Sequence, residues 1–214
     1  MAADAQVLFI CTGNQCRSPL AERLATAWGK ALLGHRSGEL RIASAGMAAS
    51  DGVAMDADSA AVLRALGGDP GGFTSRALTG ELADGADLVL TMTREQRRAV
   101  LQRAPRAMRR TFTLREAADL LLHADTDGIA ALPPRDRVRE LAGRLNAGRA
   151  QRPSGADDDI EDPIGRPVEV HRQVGDAIAE ALRPLAELLF ADVPRTVPAI
   201  SGTKLRVRST VASA

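Results

Sequence analysis

The apolar run Val7-Leu8-Phe9-Ile10 ends in Cys11, and seven residues, Thr12-Gly13-Asn14-Gln15-Cys16-Arg17-Ser18, separate that cysteine from Pro19. The run reads as a buried strand over residues 6–10, and Pro19 suits the first turn of a helix, where its missing N–H leaves no bond unmade. A chain that turns from strand to helix in so few residues points its backbone N–H groups into the turn. The positive end of the helix lies beside them, and together they form an anion cradle. Cys11 stands at its floor. A helix N-terminus and a neighbouring arginine both favour a thiolate over a thiol. Arg17 offers a planar fork that grips two phosphate oxygens, which a lysine does not.

The rest of the chain repeats the strand-to-helix alternation. Leu20, Leu24, Trp28 and Leu32 recur every four residues and predict a first helix whose stripe faces the core, broken at Gly34 and Gly38. Residues 40–44 read as a second strand, 55–66 as a helix stopped by Gly67-Gly68, 86–92 as a third strand and 110–113 as a fourth. Thr93…Gln96 and Thr113…Glu116 are capping boxes that start two more helices. A last helix spans 167–190, with Val170, Val174, Ile178, Leu182, Leu185 and Leu189 as its apolar stripe and Pro184 as an expected kink. Alternation without hairpin turns predicts a three-layer α/β fold: a four-stranded parallel sheet with helices on both faces. Ligands of such sheets bind beyond the carboxyl ends of the strands, where Cys11 stands.

The sequence is similar to the low-molecular-weight protein tyrosine phosphatases in Cys11-Thr-Gly-Asn-x-Cys-Arg-Ser18, in Ser44-Ala45-Gly46, in Ser75-Arg76, in the strand at 86–92, and in Asp162-Pro163. The resemblance covers roughly residues 5–122 and 157–190. It implies a phosphatase domain over 1–190, with an insert at 123–158, and leaves 191–214 as a flexible tail. Within the insert, Val138, Leu141 and Leu145 mark one face of a short helix. The role of the insert is not legible; because it enters the Asp162 segment, it is the candidate for a pocket wall in the event that phosphotyrosine peptides bind tightly.

The resemblance implies hydrolysis of a phosphomonoester in two steps. Cys11 attacks phosphorus and forms a phosphocysteine, Arg17 binds the phosphate, and Asp162 is the general acid and then the base. Thr12, Gly13, Asn14, Gln15, Cys16 and Ser18 complete the phosphate loop, and Ser44 supports it through Asn14. Ser18 caps the helix and can donate to the thiolate. Asn14 suits a left-handed backbone. Cys16 is either a resolving thiol, able to pair with Cys11 under peroxide, or a small packing residue. No cofactor and no metal is called for: Cys-x4-Cys lacks a second ligand pair, and His35, His123 and His171 read as surface residues. The expected partner is a phosphorylated protein carrying phosphotyrosine, or a small aryl phosphate.

Several positions depart from the family pattern. Phe73 stands where a histidine is common before x-Ser-Arg, which weakens the expected bracing of the loop. Ile164-Gly165 replaces the aromatics that often follow Asp-Pro, residues 47–58 contain no aromatic, and the chain has no tyrosine. The walls that would sandwich a phenyl ring are missing from the sequence. The competing activity is an arsenate reductase of similar fold. Versions that relay oxidation through downstream cysteines are disfavoured, because no cysteine follows Cys16; reduction by a small external thiol stays open. A net charge of +1 over 214 residues argues against nucleic acid or membrane surfaces as partners. The arginines at 94, 97, 98, 103, 106, 109 and 110 read as a solvated helix face. The first residues do not look like a targeting segment, which points to the cytoplasm.

Overall fold

The computed structural model describes residues 5–152 and 157–191. The tail expected at 191–214 lies, apart from Ala191, outside the described residues, as does part of the insert. Four strands, β1 (Ala5–Cys11), β2 (Leu40–Gly46), β3 (Leu88–Thr91) and β4 (Thr111–Thr113), form one sheet in the order β2-β1-β3-β4 with every pairing parallel. The expected parallel sheet is therefore present. The central pair, β1 and β3, is apolar on both faces because helices cover both.

Strand alternation sorts the core in two. Val7, Phe9, Leu88 and Leu90 face a larger cluster built with helices α1 (Arg17–Leu33), α2 (Ala57–Ala65), α5 (Leu114–Leu121), α6 (Pro134–Gly148) and α7 (Val168–Leu189). Leu8, Ile10, Ala43 and Val89 face a smaller one with α3 (Gly80–Gly85) and α4 (Arg94–Arg103). Each fully buried leucine or isoleucine contributes about 1.5–3 kcal/mol relative to exposure. Both capping boxes form at the expected residues, Thr93 with Gln96 and Thr113 with Glu116. The short α3 carries no apolar periodicity and is started by Thr79, whose side chain accepts from Leu82 N–H.

Two local expectations change. Leu32 is 46% exposed, and the buried row at the end of α1 is Ala21, Ala25, Gly29 and Leu33. The reason is packing: small residues on that row let α7 close in, and the Phe190 ring lies about where a Cβ on Gly29 would touch it, at 3.4 Å. Among the described residues, none of the insert lines the pocket over Cys11. Its helix α6 buries Val138, Leu141 and Leu145 completely against the sheet. Fully buried Arg137 donates from Nη1 to Leu189 O at 3.2 Å and from Nε to Leu132 O at 2.7 Å, so α6 caps the last turn of α7. Arg139 pairs with Asp87 at 2.7 Å, and Asp87 accepts from Gln6 N–H at 3.0 Å, which fixes α6 at the end of β1 opposite Cys11.

Candidate active site

Cys11 closes β1 with its side chain buried. Its Sγ lies 2.9 Å from Ser18 Oγ and accepts the Asn14 N–H at 3.3 Å. Asn14 has φ +54°, the only positive φ outside glycine among the described residues. Asparagine tolerates that left-handed geometry, and here its side chain is fully used. Nδ2 donates to Ser18 Oγ at 2.9 Å and to Ser44 Oγ at 2.8 Å, and Oδ1 accepts from Arg76 N–H at 2.9 Å. Ser44 Oγ donates onward to Glu22 at 2.5 Å, and Arg76 Nε donates to Ser44 O at 2.6 Å. Burial raises the Glu22 carboxyl above its ordinary value, against the opposing Ser44 hydrogen bond. The loop is thus braced in full without the histidine expected at Phe73. That ring is buried under the Arg23 guanidinium, 5.5 Å from its centroid.

The loop rests directly on the end of β2. Met47 N–H donates to Cys11 O at 2.9 Å and Ala48 N–H to Thr12 O at 3.0 Å. A Cβ on Gly46 would stand 2.6 Å from Thr12 O and 2.9 Å from Asn14 N, so only glycine fits there.

Arg17 is 3% exposed. Its Nη1 donates to Ile160 O at 3.0 Å, and Nη2 reaches Thr12 Oγ1 at 3.4 Å and ion-pairs with Asp162 Oδ2. Thr12 Oγ1 also accepts from Gln96 Nε2 at 3.2 Å. The other carboxylates of the acidic run are engaged elsewhere. Asp157 pairs with Arg115, Asp158 with Arg152, Asp159 with Arg94 and Glu161 with Arg166. Pro163, Ile164 and Gly165 (φ +69°) turn the chain from Asp162 into α7, closed by Arg166 N–H to Pro163 O at 2.9 Å. A pocket of about 160 Å³ opens over Cys11, lined by Thr12, Gly13, Gln15, Cys16, Arg17, Asp162 and Ile164. Ile164 is half exposed at its mouth, and no aromatic residue lines it. Met47 lines a neighbouring cleft of about 460 Å³, whereas Met55 is buried in the core.

All the residues expected at the site are brought together: Cys11 to Ser18, Ser44 and Asp162. Missed in the sequence were Glu22, Arg76 as a hydrogen-bond donor to both Asn14 and Ser44, Gln96 against Thr12, and the Ile160 carbonyl against Arg17. The Gln96 capping box was legible, its second contact was not. His171 is a correction. It is 2% exposed, because it sits on the core side of α7 with Nδ1 2.9 Å from Ser59 Oγ and 3.4 Å from Asp56 Oδ1. His35 and His123 are exposed as expected. Cys11 and Cys16 are both free thiols. Burial pushes the Cys16 thiol up to about 12, opposed by a hydrogen bond with Ser59. The arginine face is also less idle than expected. Arg97 Nε donates to Thr111 O at 3.0 Å, Arg103 to Met47 O at 3.2 Å, and Arg110 to Asp84 O at 2.8 Å.

A cysteine at the floor of a strand-to-helix phosphate loop, on a parallel four-stranded sheet, puts the chain in a phosphatase class. Residues 6–128 match the family described as low molecular weight phosphotyrosine protein phosphatase, and the chain belongs to that family. Among its relatives is a protein-arginine-phosphatase of Geobacillus stearothermophilus, 30% identical over 184 residues that span 86% of this chain and 95% of the relative. A low molecular weight protein-tyrosine-phosphatase of Acinetobacter johnsonii is 33% identical over 108 residues, 50% of this chain and 70% of the relative. The solved low molecular weight protein tyrosine phosphatase of T. tengcongensis superposes with a TM-score of 0.62 at 28% identity, covering 86% of this chain and 99% of that one. The chain is thus a phosphatase of this family. Among the described residues no helix is long and apolar enough to cross a membrane.

Proposed function

We propose that this enzyme removes phosphoryl groups from protein side chains through a phosphocysteine on Cys11, and that phosphoarginine is its preferred substrate. The observation that carries the chemistry is the Cys11 thiol, held by Ser18 Oγ at 2.9 Å and Asn14 N–H at 3.3 Å below a pocket bounded by Arg17 and Asp162. Cys11 Sγ attacks phosphorus in line, and the bond from phosphorus to the leaving nitrogen or oxygen breaks. Asp162, once the entering phosphate has freed it from Arg17, takes up the proton that the Cys11 thiol gives up and passes it to the leaving atom. Arg17 and the loop N–H groups hold the equatorial oxygens. The phosphate displaces Asp162 from Arg17 as it enters, which releases the carboxyl group toward the leaving atom. Water then attacks the phosphocysteine and gives a proton to Asp162. The S–P bond breaks, and the departing sulfur is received by Ser18 Oγ and Asn14 N–H.

Two features support phosphoarginine. Above the phosphate, the pocket offers the Gln15 amide oxygen, an acceptor for guanidinium N–H groups, the Asp162 carboxyl group to protonate the leaving nitrogen, and no aromatic wall for a phenyl ring. In sequence, the arginine-phosphatase relative aligns over 86% of this chain and the Acinetobacter tyrosine-phosphatase relative over 50%, although the T. tengcongensis tyrosine phosphatase structure also covers 86%. Phosphotyrosine is the second reading, favoured by the family match and by half-exposed Ile164, an apolar side chain at the mouth. Both readings need Cys11 reduced, and on that ground we assign the reaction to the cytoplasm.

The test compares kcat/KM for matched phosphoarginine and phosphotyrosine peptides, with arsenate reduction by a small thiol run alongside. A preference for phosphoarginine is expected, and Cys11→Ser is expected to abolish turnover. A preference for phosphotyrosine selects the second reading. Arsenate reduction without phosphatase turnover refutes both.

A further inference from the structure

Behind the phosphate loop, three side chains remote in sequence converge. Cys16 Sγ, a carboxylate oxygen of Asp56 and a ring nitrogen of His171 all lie within 4.8 Å of one another. Each comes from a different element: Cys16 caps α1, Asp56 caps α2, and His171 lies on α7. Ser59 Oγ stands beside them, 2.9 Å from His171 Nδ1. From this geometry we infer that Cys16, Asp56 and His171 form a binding site for a borderline divalent cation of the zinc class, with the Ser59 hydroxyl or a water as fourth ligand.

The donor set selects the metal. One thiolate, one imidazole and one carboxylate suit zinc-like ions, whereas calcium and magnesium ask for oxygen ligands throughout. Ligand atoms around four-coordinate zinc stand about 3.5 Å apart, given metal–ligand bonds near 2.0–2.3 Å. The Asp56–His171 pair already meets that spacing at 3.4 Å, and Cys16 needs only a small side-chain movement. Without a metal, hydrogen bonds link the cluster through Ser59. His171 Nδ1 has a single lone pair or a single proton, yet it faces both Ser59 Oγ and Asp56 Oδ1. Asp56 Oδ1 also accepts the Ser59 N–H at 3.0 Å. A cation satisfies all three ligands at once and displaces the thiol proton as it binds. Access is from the Asp56 side, whose side chain is 25% exposed while that of His171 is 1% exposed.

The site is tied to the phosphate loop. Asp56 N–H donates to Gln15 O at 3.0 Å, next to Cys16, so the bound ion would clamp the loop to α2 and α7. It would also hold Cys16 away from pairing with Cys11.

Cobalt(II) alone is the probe, with full-length Cys11→Ser as the protein so that the catalytic thiol cannot report. A thiolate-to-cobalt charge-transfer band is expected in the near ultraviolet, with the visible bands of four-coordination, and zinc(II) should bleach both. Adding Cys16→Ser should remove the charge-transfer band. Asp56→Asn, which keeps a good helix cap, and His171→Gln should each weaken cobalt binding by at least about tenfold. If His171→Gln does not fold, Asp56→Asn decides alone. The proposal is overturned by a folded Cys11→Ser protein with no charge-transfer band, by a band that survives Cys16→Ser, or by unchanged affinity in the folded ligand variants.

Discussion

Arg17 and Asp162 form an ion pair across the mouth of the phosphate loop, while the other arm of the same guanidinium is held by the Ile160 carbonyl at 3.0 Å. One arginine thus positions both the phosphate site and the segment that carries the proposed acid. Arg17→Lys keeps the charge but loses the fork that makes both contacts. Its kcat should fall by about 10²–10³-fold, the loss typical of removing one donor aimed at a transition-state oxyanion. Steady-state kinetics on p-nitrophenyl phosphate checks this, and a loss confined to KM would show that Arg17 only binds.

Asp162→Asn should separate substrates by leaving group. General acid catalysis contributes about 10²–10⁴-fold, most where the leaving atom is most basic. The variant should therefore lose far more on alkyl phosphates than on aryl phosphates with acidic phenols. A leaving-group series measures it, and equal losses throughout would move the role to another group.

Gly46→Ala should damage the loop without touching a reacting atom. The new Cβ would press on Thr12 O at 2.6 Å and Asn14 N at 2.9 Å, both backbone atoms that cannot rotate aside. Overpacking of this kind costs about 1–3 kcal/mol of stability. Activity should fall with it, because the displaced Asn14 N–H is the one that donates to Cys11 Sγ. Chemical denaturation and turnover measured together test the link; a variant with wild-type activity would show that the loop has slack.

Glu22 supplies a pH signature. Its carboxyl is raised by burial, so the folded state favours the protonated form. The sign follows from linkage: its contribution is fully present below the ordinary carboxylate value of 4.5 and is lost as pH rises through the raised folded value. Glu22→Gln keeps an acceptor for the Ser44 hydroxyl and does not ionise. Its stability relative to wild type should therefore increase as pH rises from 4.5 toward neutrality. Parallel denaturation curves across that range measure the difference, and a constant offset would rule the effect out.

Ile164→Tyr should add the wall that the mouth lacks. A stacked aromatic pair is worth about 0.5–1.5 kcal/mol beyond plain burial. KM for a phosphotyrosine peptide should drop with kcat nearly unchanged, since the ring binds ground and transition states alike. The phosphoarginine peptide should gain less. An unaltered KM would place the aryl group away from Ile164.

What the sequence revealed was local. The strand, the cysteine loop and both capping boxes are set by neighbours in the chain, and each formed where its residues stand. Asn14 was legible for the same reason, since its left-handed turn is a property of residue type. His171 was not. Its surroundings come from Asp56 and Ser59, more than a hundred residues away, and no spacing in the chain announces them. Leu32 misled because a four-residue spacing does not by itself say where a partner helix packs: the buried row Ala21, Ala25, Gly29 and Leu33 has the same spacing. The glycine and alanines at 21, 25 and 29 decided which side α7 would occupy. The insert was judged by its sequence position beside Asp162, and its apolar face took it to the far end of the sheet instead.

That placement gives α7 an architectural meaning. Its 22 residues make a rod about 33 Å long at 1.5 Å per residue. At one end Arg137 grips the carbonyl of Leu189, and at the other a tight turn delivers Asp162 to Arg17. The insert thus fastens one end of the helix whose other end follows the turn carrying the proposed acid.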